Sequence, residues 1–235
     1  MLNNLKKYLT SVLKNFVKHR LWPTYWRQES YSQEGEDLLV SRLLDGIKTG
    51  FYVDVGAHHP FRFSNTYIFY KRGWRGINID ARPGIMDMFK RKRPRDINLE
   101  IGVSAHPTAQ EFFVFNEPAL NTFVAKVAME RDGHDGYKII DKVNVKCLPL
   151  STILESYLLP EDYQFEFLSV DVEGLDLEVL KSNDWTRFRP KLIIAEALGA
   201  NLIDIINAEM TSYLSSVGYS PYCKLGHSVI YLSDN

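Results

Sequence analysis

Phe51-Tyr-Val-Asp-Val55 is a run of aromatic and β-branched residues that leads without a break into Gly56-Ala-His-His-Pro60. Such a run, free of turn-formers, predicts a strand buried on both faces of a parallel sheet. Gly56 and Pro60 are poor continuations of a strand and end it. A carboxylate at a strand's exit followed by glycine is how a ligand crevice opens in an open α/β sheet. Gly56 lets backbone approach a ligand, and Asp54 can accept its hydrogen bonds. The plainer reading is a core strand that turns at a glycine.

The pattern recurs along the chain. Ser32–Leu44 is predicted as a helix with Glu34, Glu36 and Asp37 in a first turn whose dipole favours acids, and with Gly46 as its stop. After the first strand, a helix capped by Ser64 is predicted up to Arg72, and Arg75–Asp80 as a second strand. Met86–Arg93 is predicted as a short helix ending in Lys90-Arg-Lys-Arg93, read as a solvated basic end. Ile97–Val103 is predicted as a third strand and Glu111–Phe115 as a short fourth one. Asn116–Lys142 loses periodicity and reads as an irregular insert, a candidate substrate lid. Strand character returns at Val143–Leu148, at Phe165–Gly174, which ends in carboxylates and glycine, and at Lys191–Ala195, with helices at Ser151–Leu159 and from Leu175. A helix over Asn201–Ser216 and a hairpin of Tyr219–Cys223 with Ser228–Leu232 close the chain. Strands alternating with helices predict one doubly wound α/β sheet in residues 30–235.

Residues 1–29 stand apart. Lys6, Lys7, Lys14, Lys18, Arg20 and Arg27 all precede the first acid, Glu29, in a chain of net charge −1, so the remainder is acid-rich. Leu2, Leu5, Leu9, Val12, Leu13, Phe16 and Val17 recur at helical spacing, which predicts a basic amphipathic helix over 2–21. It is followed by Trp22, Tyr25 and Trp26. Such a helix suits a membrane interface, its own domain or a twin subunit. No apolar run approaches the ~20 residues needed to span a bilayer, and the N-terminus lacks a signal peptide's apolar core. The near-neutral balance gives no reason to expect nucleic acid. Two cysteines, Cys147 and Cys223, make no disulfide framework, so a reducing, cytoplasmic setting is expected.

Three predicted strands end in acids: Asp54, then Asp171 with Glu173, then Glu196. In an open α/β sheet parallel strands present their C-terminal ends on one rim, where ligands bind. Asp171 and Glu173, two apart, would share a face in extended chain. Carboxylates held close raise one another's pKa unless a cation lies between them. That points to a general base or a hard-metal site built on Asp171 and Glu173, for a divalent ion such as Mg. Alternatively, Glu173 and Gly174 merely cap the next helix. Asp80, at the end of the second strand, stands where an acid grips a ribose. His58 and His59 at the mouth could orient a ligand or shuttle a proton, or be scaffolding. The three spaced glycines of a dinucleotide site, the P-loop, the Gly-x-Ser-x-Gly elbow and zinc motifs are all missing from the sequence. A crevice for a nucleoside without phosphates remains.

Tyr31-Ser-Gln-Glu-Gly-Glu-Asp37, Gly50–His58, Ser64-Asn-Thr66, Gly73-Trp-Arg-Gly-Ile77, Leu168-Ser-Val-Asp-Val-Glu-Gly174 and Ser228-Val-Ile-Tyr231 together resemble the FkbM family of S-adenosylmethionine-dependent methyltransferases. The resemblance covers roughly residues 30–232. It implies a mostly parallel seven-stranded Rossmann-like sheet of the class I methyltransferase kind, with the last strand antiparallel beside the fifth. It also implies that Asp54, Gly56 and Ala57 flank the cofactor's methionine and Asp80 takes the ribose. Gln33, Glu36, Asn65 and Thr66 would line the same pocket, with Ser104 past the third strand added to it. The expected activity is O-methylation of a hydroxyl on a sugar, saccharide or polyketide-like acceptor. Asp171 is the first choice as base, Glu173 and Glu196 support it, and His58 is the alternative. The rivals are a non-catalytic module attached to a membrane or partner through the N-terminal helix, and an NAD-dependent oxidoreductase disfavoured by the missing glycines.

Overall fold

The computed structural model describes residues 6, 7, 9–11, 27–197 and 201–234. The chain divides into two units, Met1–Ser30 and Tyr31–Asn235. In the first, Lys6, Lys7, Leu9, Thr10 and Ser11 are helical, and the rest of the amphipathic stretch predicted over 2–21 lies outside the described residues. Among the described residues no helix is long and apolar enough to cross a membrane.

The second unit runs α1 (Glu36–Leu43), β1 (Phe51–Val55), α2 (Tyr67–Lys71), β2 (Arg75–Asp80), α3 (Ile85–Lys92), β3 (Ile97–Glu100), β4 (Gly102–Val103), β5 (Thr108–Phe115), α4 (Ala125–Arg131) and β6 (Ile139–Leu148). It continues with α5 (Leu150–Tyr157), β7 (Phe167–Val170), α6 (Asp176–Lys181), β8 (Leu192–Glu196), α7 (Leu202–Asn207), α8 (Glu209–Ser216), β9 (Tyr219–Lys224) and β10 (Ser228–Ser233). Seven strands form one sheet in the order β3-β2-β1-β7-β8-β10-β9. β3, β2, β1, β7 and β8 are mutually parallel, and β10 is antiparallel between β8 and β9.

Strand alternation divides the core between the two faces. Phe51, Val53 and Val55 of β1 and Leu168 and Val170 of β7 pack with Ile153, Leu154, Val179, Leu180 and Leu214 of α5, α6 and α8. Tyr52 of β1 and Phe167 of β7 face the other way, onto Val40, Ile68, Phe69 and Trp74 around α1 and α2. Asp54 shares Tyr52's side of the strand, and Ser169 shares Phe167's. Each fully buried apolar side chain contributes roughly 1.5–3 kcal/mol. That sum tolerates a desolvated carboxylate at the tip of the central strand.

Several sequence expectations change in the fold. The third strand breaks at Ile101: β3 pairs with β2, whereas β4 leaves the sheet and pairs with β6. Gly102 makes the crossing feasible, because a Cβ there would collide with the Cys147 thiol and the Phe123 ring. The insert is not irregular. β4, β6 and β5 form a second, three-stranded sheet, and α4 packs Ala128 against Phe113 and Phe115 with Leu120 and Ile139 beside them. Only Ala128 of α4 is buried, so this helix carried no apolar stripe to read. The first helix starts at Glu36 rather than Ser32, and Glu34 lies ahead of it. Glu34 accepts from His227 N at 2.6 Å and Glu36 accepts from Ser228 Oγ at 3.0 Å, so both tie down the closing hairpin. α2 starts at Tyr67, and Ser64 Oγ accepts from Tyr67 N at 3.1 Å just before it. The helix predicted over Asn201–Ser216 is two, separated by Ala208 in extended backbone at φ −66°, ψ 146°.

Arg93 is the largest departure. It is not a solvated end of α3 but wholly buried, with Nε on Asp96 Oδ2 at 2.8 Å. A lone positive charge could not remain there, so the buried partner and hydrogen-bond acceptors around the guanidinium are what permit it.

At the exit of β1, Gly56 has φ +80°, and a Cβ added there would overlap the carbonyl oxygen of Asp171. Gly84, ahead of α3, has φ +78° with nothing within 4 Å of such a Cβ. Gly84→Ala therefore costs only the left-handed penalty, about 1 kcal/mol. Gly56→Ala adds a backbone collision and costs roughly 3 kcal/mol or more. Denaturant midpoints of the two variants check this, and equal losses would show that the strand tips are not in contact.

Candidate active site

β1, β2 and β7 are joined beyond their ends. Gly56 N and Ala57 N donate to Ile79 O at 2.9 and 3.1 Å, and Asp171 N donates to Val55 O at 3.0 Å. The rim so formed opens into a cleft of about 1010 Å³ including its mouth. Ile79, Ile101, Val103, Phe112 and Phe123 give it an apolar wall, and Asp54, Asp80, Asp171 and Glu173 an acidic one. An apolar slot flanked by a few convergent polar groups is the usual make-up of a small-molecule site.

Of the residues singled out from sequence, Gln33, Asp54, Gly56, Ala57, His58, Asn65, Asp80, Asp171 and Glu173 line this cleft. Glu36, Thr66, Ser104 and Glu196 do not. Glu36 is 3% exposed and spent on Ser228, and Thr66 is buried behind Asp54. Ser104 Oγ donates to His106 O at 2.7 Å, a turn contact produced by the chain's departure into the second sheet. Glu196 sits beside the lining acids: one oxygen each from Asp171, Glu173 and Glu196 lie within 4.8 Å of one another. Asp171 and Glu173 do not converge through a shared strand face, since β7 ends at Val170 and Glu173 has φ +54°. A turn brings them together instead. His58 (φ 53°) and Phe63 (φ 55°), also lining the cleft, are likewise left-handed. Such costly conformations in non-glycine residues gather at sites where the surroundings over-determine them.

Asp80 accepts from His58 N through Oδ2 and from Arg82 N through Oδ1, both at 2.8 Å. Burial raises its pKa against those two bonds. With each oxygen held by one amide, the remaining lone pairs of a fixed carboxylate are available to a ligand's paired hydroxyls. Asp54 Oδ2 accepts from Thr66 Oγ1 at 2.8 Å, and Asn65 Nδ2 donates to Ser169 Oγ at 3.1 Å alongside. Burial pushes Asp54 up, opposed by Arg93 and by the Thr66 and Ser169 hydroxyls.

The acids around β7 and β8 are strongly coupled. Asp171 is exposed to solvent within the open cleft yet ringed by its walls. Its carboxyl is pushed well above the usual range by desolvation, then by Asp176, Glu173, Asp54 and Glu36. Glu196 is pushed up to about 9 by burial, then by Asp171, Glu173 and Asp176. Carboxyl oxygens within 4.8 Å of one another oppose each other's ionisation, so these acids titrate as a coupled set. Glu173 differs, since its Oε2 accepts from Arg131 Nη2 at 2.7 Å, although burial still raises its pKa. No local pattern pointed to Arg131, which arrives from the insert, nor to the buried Asp176, pushed up to about 6 by its burial. The three oxygens near Glu196 are the hard donors a divalent cation takes, but one of them belongs to a glutamate already paired with a guanidinium.

A family model, the methyltransferase FkbM domain, matches residues 54–221, which takes in the end of β1 with its glycine exit, Asp80, the acids after β7 and the one that ends β8. The chain belongs to the FkbM methyltransferase family. S-adenosylmethionine is accordingly the cofactor to fit to the cleft. The fit is sound: apolar walls for a base, Asp80 for a ribose, and a Gly56 exit that leaves no room for a side chain. The chain is also similar to a TehB-like SAM-dependent methyltransferase from Corynebacterium glutamicum at 10% identity, over 95% of this chain and 99% of that one, TM-score 0.42. It is similar to a Burkholderia thailandensis 1,6-didemethyltoxoflavin-N1-methyltransferase at 10% identity, over 98% and 90%, TM-score 0.44. No curated protein matches the chain.

His58 Nε2 is buried and, among the described residues, has no hydrogen-bond partner. Its pKa is lowered to about 4 by burial, then by Arg62 and Arg82. A histidine depressed in the folded state contributes stability that is complete above the unfolded value, near 6.5, and lost as pH falls through the folded value. The melting temperature of the wild type relative to His58→Asn should therefore fall between pH 6.5 and 4. A difference that stays constant across that window would mean His58 is not held neutral.

Proposed function

We propose that this FkbM methyltransferase methylates a hydroxyl oxygen, on a sugar, saccharide or polyketide-like acceptor. The observation that carries the reading is the convergence of Asp171 and Glu196, carboxyls close enough to raise one another's pKa, beside a cleft suited to a nucleoside. S-adenosylmethionine supplies an already activated methyl group on a sulfonium sulfur. The chain's residues then have to bind, orient and deprotonate. Asp80 accepts the ribose hydroxyls and Asp54 faces the methionine end, with Gln33 and Asn65 beside it. The apolar walls exclude water from the base and hold the reacting groups close, an effect worth several powers of ten in rate. The ionised member of the Asp171–Glu196 pair accepts the acceptor's hydroxyl proton at a carboxylate oxygen. Glu173, neutralised by Arg131, fixes the edge of the insert against this acid pair. His58, neutral at pH 7, is the alternative base.

Asp171→Asn and Glu196→Gln should each lower kcat by about 10²–10⁴ while S-adenosylhomocysteine binding, followed by calorimetry, changes little. Full methyl transfer by the double variant would sink the assignment. Calorimetric titration with S-adenosylmethionine, S-adenosylhomocysteine and NAD in parallel separates the methyltransferase from an oxidoreductase and from a non-catalytic module. The oxygen donors of Asp171, Glu173 and Glu196 favour one second reading, in which a divalent cation assists the proton transfer. Activity lost on chelation and restored by magnesium would support that reading, and activity insensitive to chelation would leave the carboxyls acting alone.

A further inference from the structure

Arg93 lies outside the cleft, has no part in the chemistry above, and makes more side-chain contacts to polar groups than a structural ion pair needs. Nε donates to Asp96 Oδ2 at 2.8 Å, Nη2 to Tyr52 Oη at 2.7 Å and Nη1 to Thr66 Oγ1 at 2.9 Å. Nη1 also approaches Pro60 O and Ser64 Oγ at 3.4 Å. Asp96 is satisfied in turn by Tyr52 Oη, Gly76 N and Asn78 Nδ2. A guanidinium can only donate, so Thr66 Oγ1 accepts from Arg93; with Asp54 ionised, the Thr66 hydroxyl proton goes to Asp54 Oδ2, 2.8 Å away, and Ser64 Oγ, 3.2 Å from Thr66 Oγ1, completes the cluster. Thr66 is fully buried, and Asp54 at the end of the relay lines the cleft.

We propose that Arg93 is a positioning residue for the cofactor site: acting through Thr66, it orients Asp54 and keeps it ionised at the tip of β1, and so sets the preference for a cationic ligand. The proposal rests on the reading of the cleft as the S-adenosylmethionine site. Asp54 sits among groups that resist its ionisation. Its desolvation opposes ionisation most, and Asp80 on β2 and Asp171 in the turn after β7, both acidic, add to it. The countercharge comes from Arg93, behind the strand, where no ligand or solvent ion displaces it. A buried hydrogen bond in a network of this kind is worth more than an exposed one, because its partners have no water to turn to. S-adenosylmethionine carries a sulfonium charge that S-adenosylhomocysteine lacks. An ionised Asp54 therefore favours the first over the second, and a neutral or misdirected one does not.

Arg93→Met would leave Asp96 buried without its counter-charge and can unfold the chain, so Thr66 carries the test. Thr66→Val keeps the shape and removes the relay, and Thr66→Ser keeps the hydroxyl. Calorimetry on the full chain gives stoichiometry and Kd for both cofactor forms. Thr66→Val should weaken S-adenosylmethionine roughly tenfold, as expected for a lost bond to a charged group. It should weaken S-adenosylhomocysteine clearly less, and Thr66→Ser should restore the wild-type ratio. Unchanged Kd values in Thr66→Val overturn the proposal, even with a lowered melting temperature or binding stoichiometry. Equal weakening of both ligands, or a loss that serine does not restore, overturns it too, because a general disturbance of the site has no charge preference. Wild-type protein that binds neither ligand would instead overturn the cofactor reading itself.

Discussion

The site depends on three strand tips sewn together past their last paired residues. Gly56 passes so close to the Asp171 carbonyl that no side chain fits, while Gly56 and Ala57 bond to Ile79 and Asp171 bonds to Val55. These contacts place Asp54, Asp80 and Asp171 along one rim and keep them from spreading under mutual repulsion. The core on both faces of the sheet supplies the free energy for this, and the rim spends some of it on desolvated carboxyls and left-handed residues.

The resulting electrostatics are asymmetric. The end of the cleft nearest β7 and β8 is lined by Asp171 and Glu173, with Asp176 and Glu196 close enough to raise the Asp171 pKa or be raised by it. His58 and Arg82 also line the cleft, and the charges of Arg82 and of nearby Arg62 lower the pKa of His58 and His59 further after burial has done so. Two arginines balance the acids from different directions. Arg131 comes from the inserted sheet and pairs with Glu173, and Arg93 acts from beneath through Thr66. A cationic methyl donor matches the acidic end, and the insert contributes both a wall residue, Phe123, and the Arg131 contact.

Much of this could be read from residue order. β1 and β2 fall where their apolar runs place them, and the acids at strand exits were visible because buried strands tolerate few charges. The family's motif residues were legible for the same reason. The strands Glu111–Phe115 and Val143–Leu148 were legible too, but the order within Asn116–Lys142 was not, because α4 buries only Ala128 and the first residues of β6 are mostly exposed. Arg93 was misread because a basic residue at a helix end is ordinarily solvated, and nothing local reveals that Tyr52, Thr66 and Asp96 surround it. Glu34 and Glu36 were assigned to the helix dipole for want of any sign that a hairpin nearly two hundred residues on would take their oxygens.

Sequence alone determined which segments are strands, that several exit through acids or glycine, and that no phosphate-binding loop follows the first. Those are local properties, fixed by side-chain shape and backbone freedom within a few residues. Tertiary structure decided which acids meet. Glu196 joins Asp171 and Glu173 only because β8 lies beside β7, and Glu173 turns toward them through a left-handed backbone rather than along a strand. It also decided which acids face the cleft and which are tied into the scaffold, and where each countercharge comes from. Charge pairing acts through space, over distances that separation along the chain does not encode.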